Sequence, residues 1–130
     1  MIQATVDEAL GIVRSLSVGF SGDEEVRKYA DEMIALMAAA RRKGKAFLHL
    51  VDATQAQVHT REAAEMLNSL AAQWHGPNDR TAVLLKSSLL KMQMQRTSSS
   101  AASATFASEA EAIKWLLSPV VPPYERVRAS

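Results

Sequence analysis

The stretch Ala46-Phe47-Leu48-His49-Leu50-Val51-Asp52 is a nearly continuous apolar run within a chain of 130 residues. A run without polar alternation is typical of a β-strand that is covered on both faces, as in the parallel sheets of α/β proteins. We therefore predict a central strand here. Thr60 is predicted to cap the next helix, which runs to about His75 and stops at Gly76-Pro77.

Upstream of this strand the sequence predicts a β-hairpin and a long helix. Two β-like runs, Ile2 to Val6 and Ile12 to Phe20, flank a segment with turn chemistry, so an antiparallel hairpin is the simplest interpretation. Ser21 predicts the helix start through a capping box, and Gly44 predicts its end after three basic residues. Alternation places the following side chains of the second run on one face, opposite Val13, Ser15, Ser17 and Gly19: Ile12, Leu16, Val18 and Phe20.

Downstream the alternation of strands and helices continues. Thr81 to Leu85 is predicted as a buried strand, and Ser88 through Met94 as a helix. A short strand, Thr105 to Ala107, precedes a capping-box pattern at Ser108 that starts the final helix. Pro119 then prevents continuation of the helix.

This order of elements predicts one α/β domain at residues 1–118, followed by a proline-containing tail at residues 119–130. Strands that alternate with helices imply right-handed crossovers and parallel pairing. The expected architecture is a mixed sheet of about five strands with an N-terminal antiparallel hairpin and about four helices.

Composition restricts the classes of function. Apolar residues make up 48% and charged residues 22% of the chain, as in ordinary globular proteins. The net charge of +1 gives no strong field for attracting nucleic acid, and no stretch approaches the ~18 apolar residues of a membrane span. The chain contains no cysteine, which fits a reducing compartment. We expect a cytoplasmic protein that neither binds nucleic acid nor spans a membrane.

The order of elements resembles that of STAS domains, and especially that of the small bacterial proteins called SpoIIAA-like. The resemblance covers about Met1 to Leu117 and is most specific in the phenylalanine-containing strand and acidic helix that end in Trp115-Leu116. It implies a non-catalytic, regulatory interaction module. The segments that carry it are Val18 to Phe20, Phe47 to Asp52, Thr81 to Leu85 and Thr105 to Leu116.

The sequence departs from the family pattern at one functional position. Phospho-regulated STAS proteins carry Asp-Ser-Ser-Gly at the start of the helix after the central strand, where a serine is phosphorylated. The matching stretch here is Val58-His59-Thr60-Arg61, in which only Thr60 keeps a hydroxyl. The resemblance therefore does not carry a phosphorylation cycle over to this chain.

We predict a ligand- or partner-binding surface around the start of the helix that Thr60 caps. The unpaired backbone N–H groups and the positive dipole end at a helix start favour an anion or a partner's carboxylate. Asp52 is expected to cap the loop Ala53 to Val58 through backbone N–H groups. The next candidate is the basic patch Arg41 to Lys45. The predicted surface consists of Asp52, Thr54, His59, Thr60, Arg61 and Glu62.

The sequence carries no recognisable catalytic or metal-binding pattern. No two histidines have the i, i+4 spacing of a zinc-binding helix, and no serine lies in a Gly-x-Ser-x-Gly setting. We therefore expect no catalytic residues, no metal and no cofactor. The leading hypothesis is an interaction module with a protein partner, the alternative is a carrier or sensor of a small apolar or lipid-like ligand, and an enzyme ranks third. The methionines favour the second, because methionine repacks easily: Met33, Met37, Met66, Met92 and Met94.

A homodimer is also expected. The small side chains from Ser98 to Ala104 allow two backbones to approach closely. The preceding segment offers more apolar surface than one helix face buries against one sheet, through Leu89, Leu90, Met92 and Met94.

Overall fold

The computed structural model describes residues 1–57, 60–72, 78–86 and 103–118. The predicted helix from Ser88 through Met94, most of the predicted dimer surface and the tail at residues 119–130 lie outside these ranges. The described residues contain five strands and three helices. In chain order they are β1 (Ile2–Asp7), β2 (Ile12–Gly19), α1 (Asp23–Arg42), β3 (Leu48–Ala56), α2 (Arg61–Ala72), β4 (Arg80–Leu84), β5 (Ser103–Phe106) and α3 (Glu109–Leu117).

The strands form one sheet in the order β1-β2-β3-β4-β5. β1 and β2 pair antiparallel as a hairpin, and the remaining neighbours pair in parallel. β3, which contains most of the apolar run, is the middle strand. The predicted α/β architecture, with its mixed sheet and N-terminal antiparallel hairpin, is thereby confirmed.

The sheet is covered on both faces, and each face has its own core. Successive residues of a strand point to opposite faces, so Ile12 and Val13 of β2 belong to different cores. Val13 packs with side chains of α1 and α2 in a core of Val13, Tyr29, Met33, Phe47 and Leu70. Ile12 packs with side chains of α3 in a core of Ile12, Leu50, Ala82, Leu84, Ala112 and Leu116.

The serine face of β2 is deeply buried. Ser15 and Ser17 are 2% and 4% exposed, whereas Phe20 is 53% exposed. The reason is that α1 covers the serine face, while α3 packs against β3, β4 and β5.

The prediction that the strand continues through Phe20 is wrong, because Gly19 adopts a φ of 62° that ends the extended run.

The start of α1 differs from the predicted capping box. The N-cap is Gly22, which makes no side-chain cap, and the helix begins at Asp23. The predicted cap Ser21 is wholly buried, and its hydroxyl has no hydrogen-bond partner among the described residues. Its side chain is enclosed in the interior and does not reach the first backbone N–H groups. Acidic side chains in the first turn complement the helix dipole instead: Asp23, Glu24 and Glu25.

The end of α1 is as predicted. Gly44 has a φ of 66°, the left-handed conformation that glycine adopts without a steric penalty. Its N–H donates to the Arg41 carbonyl at 3.0 Å, and the Lys45 N–H donates to the Ala40 carbonyl at 3.0 Å. These two bonds are those of a Schellman motif, which satisfies carbonyls that the helix leaves free.

β3 is longer than predicted at its C-terminal end. The segment from Ala53 onward, expected to be a loop, continues the strand to Ala56. The pairing with β2 makes this extension, because Gly19 lies opposite Ala56 beyond a register irregularity, and the Gln57 N–H donates to the Gly19 carbonyl at 3.1 Å. No helix in the described part of the chain is long and apolar enough to cross a membrane.

Candidate functional site

Thr60 caps α2, as the sequence predicts. Its Oγ1 accepts a hydrogen bond from the Ala63 N–H at 3.0 Å, which satisfies one of the backbone donors that a helix start leaves free. The same hydroxyl donates to Oδ1 of Asp23 at 2.6 Å. Asp23 is the first residue of α1, so this bond joins the starts of the two helices.

The carboxylate of Asp23 supplies the negative charge that we expected a ligand or partner to bring to the start of α2. A carboxylate at a helix start is favoured by the dipole of that helix, and Asp23 lies beside two helix starts. The two residues are 37 positions apart, and neither has a local pattern that points to the other. The pairing is a consequence of the sheet topology, which places both helices on one face.

The predicted site residues after Thr60 lie on the surface of α2. Arg61 forms an ion pair with Glu65 at 3.3 Å, and their side chains are 89% and 68% exposed. Such an exposed pair contributes little stability. Glu62 lines a groove between α1 and α2. His59 lies outside the described residues.

Asp52 and Thr54 form a separate local unit on β3. Oδ1 of Asp52 accepts hydrogen bonds from the Thr54 N–H at 3.1 Å and the Thr54 hydroxyl at 2.6 Å. Asp52 therefore does bind a backbone N–H, as expected, but within the strand. It lines a depression of about 220 Å³ beside Glu109 of α3, on the opposite side of the sheet from the α1–α2 groove. The structure thus splits the predicted site between two faces.

Arg14 and Glu109, which form an ion pair, line the depression beside Asp52. Arg14 Nη1 donates to Oε1 of Glu109 at 2.6 Å, and its Nε donates to Oδ2 of Asp7 at 3.3 Å. The bond to Glu109 is the main reason that the pKa of Arg14 is raised. These contacts tie the hairpin to α3, so Arg14 has a structural role here.

The α1–α2 groove has a volume of about 440 Å³. One stripe of side chains from each helix lines it, at the three- and four-residue spacing of a single helix face. Carboxylates lie near the helix starts, and apolar side chains lie further along. The lining residues are Asp23, Arg27, Ala30 and Ile34 from α1, and Glu62, Glu65, Met66, Ser69 and Leu70 from α2.

Sequence reasoning missed a buried polar cluster between β2, β3 and α1. The Ser15 hydroxyl lies 2.6 Å from Oη of Tyr29 and 2.6 Å from Nε2 of His49. Burial raises the pKa of Tyr29 to about 12 and lowers that of His49 from 6.5 to about 3. Both side chains are therefore neutral at physiological pH. The only signal in the sequence was a histidine inside an apolar run, opposite a strand face that carries serines.

Arg41, the first residue of the basic patch at the end of α1, also has a structural role. Arg41 forms two hydrogen bonds with the carboxylate of Asp79, one of 3.0 Å between Nη1 and Oδ1. Oδ1 of Asp79 also accepts the Phe47 N–H at 2.8 Å. Asp79 thereby connects the end of α1 to the residue that precedes β3, and the pKa of Arg41 is raised by this hydrogen bond.

In the ranges that the structure describes, no three histidine, aspartate or glutamate side chains converge as a metal site would require. Ser15 and His49 bring a hydroxyl and an imidazole together, as a nucleophile and its base would, but both residues are 2% exposed. A pair enclosed by the core does not reach a substrate. The α1–α2 groove and the surface at the start of α2 are, in contrast, accessible.

Comparison with known proteins identifies the fold. No family model and no curated protein matches the chain. An uncharacterized protein of the DUF3478 family from Shewanella loihica PV-4, which has a SpoIIAA-like fold, matches with a TM-score of 0.62 at 19% identity, over 89% of this chain and 92% of that one. The anti-sigma factor antagonist SpoIIAA in its unphosphorylated form matches with a TM-score of 0.59 at 14% identity, over all of both chains. The predicted SpoIIAA-like, STAS-type fold is confirmed.

Proposed function

We propose that this chain is a non-catalytic, regulatory interaction module of the STAS type whose partner is a protein. The binding surface is the start of α2 together with the start of α1, and we call it the helix-start surface. It comprises Asp23, Thr60, Arg61 and Glu62. The similar SpoIIAA is an anti-sigma factor antagonist, a role that is exerted on another protein.

The observation that carries this proposal is the hydrogen bond between Thr60 and Asp23. It holds two helix starts together before any partner arrives. A surface that is already ordered binds at a lower entropic cost than one that must be ordered on binding. The bond thus favours recognition by a preformed surface.

Three further observations support a non-catalytic module over the other classes. The Ser15–His49 pair is enclosed in the core, and Asp52 is engaged by Thr54. Met33, one of the methionines that favoured an apolar ligand, is wholly buried in the core beside Tyr29. Its side chain is core packing, so the carrier alternative gains no support from it.

The proposal is tested by affinity capture from the host with wild type, Thr60→Glu and Thr60→Ser as baits. The glutamate places a second carboxylate against Asp23, which disrupts the surface by repulsion between like charges. The serine keeps the hydroxyl and the cap. We expect a protein that wild type and Thr60→Ser retain and Thr60→Glu loses, with all three baits folded by circular dichroism. Equal retention by all three baits would reject the helix-start surface.

A further inference from the structure

We infer that the α1–α2 groove binds a basic, amphipathic helical segment of the partner. This inference rests on the proposed function and names the chemistry of the partner at that site. Three features of the groove support it: its shape, its charge and the apolar side chains at the end far from the helix starts.

The shape suits a helix. The linings from α1 and α2 each follow a single helix face, and the two helices start side by side where Thr60 meets Asp23. Two neighbouring helices with a trough between them present ridges into which the ridges of a third helix fit. An amphipathic helix laid in such a groove is a common mode of peptide recognition.

The charge favours a basic occupant. The groove lining includes three carboxylates, those of Asp23, Glu62 and Glu65, and one cationic side chain, that of Arg27. Two helix starts contribute together about one positive charge, which is less than this acidic excess. α1 has acidic side chains in its first turn and basic ones in its last turn, so the end of the groove at the helix starts is its acidic end. Complementary potential steers a basic segment toward this end and orients it there.

The far end of the groove supplies apolar contact. Ile34 is 42% exposed, although it is a large aliphatic side chain in the middle of α1. It lines the groove together with Met66, which is half-buried and adapts its shape readily, and with buried Leu70. An apolar anchor at this end provides affinity, while the charges at the other end provide direction.

An anionic ligand fits the groove less well. Asp23 already accepts the Thr60 hydroxyl at the junction of the helix starts, and Glu62 lines the same space. An added anion there would meet both carboxylates. The groove therefore selects for positive charge, although isolated helix starts select for negative charge.

A designed probe tests this inference. The probe is a fluorescein-labelled peptide of about 16 residues, between four and five helical turns, with lysines on one face and leucines on the other. Two control peptides carry the same residues in scrambled order, or glutamate in place of lysine. Fluorescence anisotropy gives the Kd of each peptide for the full chain. We expect the amphipathic basic probe to bind more tightly than either control.

Matched variants locate the binding. Neutralising two groove carboxylates, in Glu62→Gln/Glu65→Gln, should weaken the probe about two- to thirtyfold, the range expected for the loss of two exposed ion pairs. Ile34→Ser should weaken it as well. Glu8→Gln/Glu111→Gln makes the same change in net charge at exposed positions away from the groove and should leave the Kd unchanged. Raising the salt concentration to 1 M shortens the screening length to about 3 Å and should weaken wild-type binding.

Three results would overturn the inference: equal affinity for a control peptide, equal effects of the two glutamine pairs, or a salt-sensitive oligomer that Glu62→Gln/Glu65→Gln dissociates. The last result would make a second copy of this chain the occupant of the groove.

The outcome of this test is separable from the outcome of the test of the proposed function. A partner lost by Thr60→Glu, combined with a probe that does not bind, rejects the basic segment and leaves the interaction module standing. If the wild-type and Thr60→Glu baits capture the same proteins, the proposed function itself is rejected.

Discussion

The Ser15 hydroxyl lies 2.6 Å from Nε2 of His49 and 2.6 Å from Oη of Tyr29, so one small side chain joins β2, β3 and α1. Removing it in Ser15→Ala leaves the buried Tyr29 hydroxyl without this partner. An unsatisfied buried polar group costs about 1–3 kcal/mol. We expect a loss of that size in the free energy of unfolding measured by urea denaturation.

Ser17 provides the matched control two residues along the same face of β2. It is also buried, at 4% exposure, but its hydroxyl has no hydrogen-bond partner in the described part of the chain. Ser17→Ala removes a buried polar atom and breaks no hydrogen bond, so it should be neutral or stabilising. Equal losses in the two variants would show that the Ser15 network contributes nothing specific.

His49 should make stability depend on pH. Burial lowers its pKa from 6.5 to about 3, so the native state holds it neutral while the unfolded chain binds a proton below pH 6.5. Its contribution is therefore fully present above pH 6.5 and declines as the pH falls toward 3. With a slope of up to about 1.4 kcal/mol per pH unit for one proton, the free energy of unfolding should drop by about 2 kcal/mol between pH 7 and pH 5. His49→Gln should reduce this difference, and an unchanged pH dependence in that variant would assign the effect to other groups.

A double-mutant cycle can measure the energetic coupling between Thr60 and Asp23. Thr60→Ala should lower the free energy of unfolding by about 0.5–2 kcal/mol because the Ala63 N–H loses its acceptor, and Thr60→Ser should lose much less. In an Asp23→Ala background the effect of Thr60→Ala should be smaller, since their mutual hydrogen bond is already absent. Strict additivity would mean that this bond does not couple the two helices energetically.

Leu116 anchors α3 in the core, where it is 2% exposed beside Ala112. Leu116→Ala should cost about 2–5 kcal/mol in a denaturant titration. The neighbouring Leu117 is 45% exposed and serves as the control, with a much smaller expected loss on the same substitution. A truncation after Pro119 should also cost less than Leu116→Ala, and the reverse order would make the tail structural.

The sequence was sufficient for the elements that local chemistry decides. A capping hydroxyl at Thr60 or Ser108 and a glycine at position 44 act through neighbours three to five residues away, and the structure has all three in those roles. The apolar run similarly predicted a central strand, because burial on both faces removes polar alternation.

Local sequence patterns did not predict contacts between residues that are distant in the chain. Ser21 had the spacing of a capping box, yet tertiary burial enclosed its side chain and moved the helix start to Asp23. The C-terminal extension of β3 is made by pairing with β2, a strand that lies more than thirty residues earlier in the chain. The bond from Thr60 to Asp23 is likewise set by the topology, so the sequence indicated one helix start as a site but not its partner.

Hydrogen–deuterium exchange on the full chain, with and without the protein captured by the wild-type bait, tests the helix-start surface most directly. Binding at this surface should slow amide exchange in the first turns of α1 and α2 and along the α1–α2 groove. Exchange in α3 should not change, because that helix lies on the opposite face of the sheet. Protection confined to α3 or to the depression beside Asp52, with α1 and α2 unaffected, would contradict the proposal.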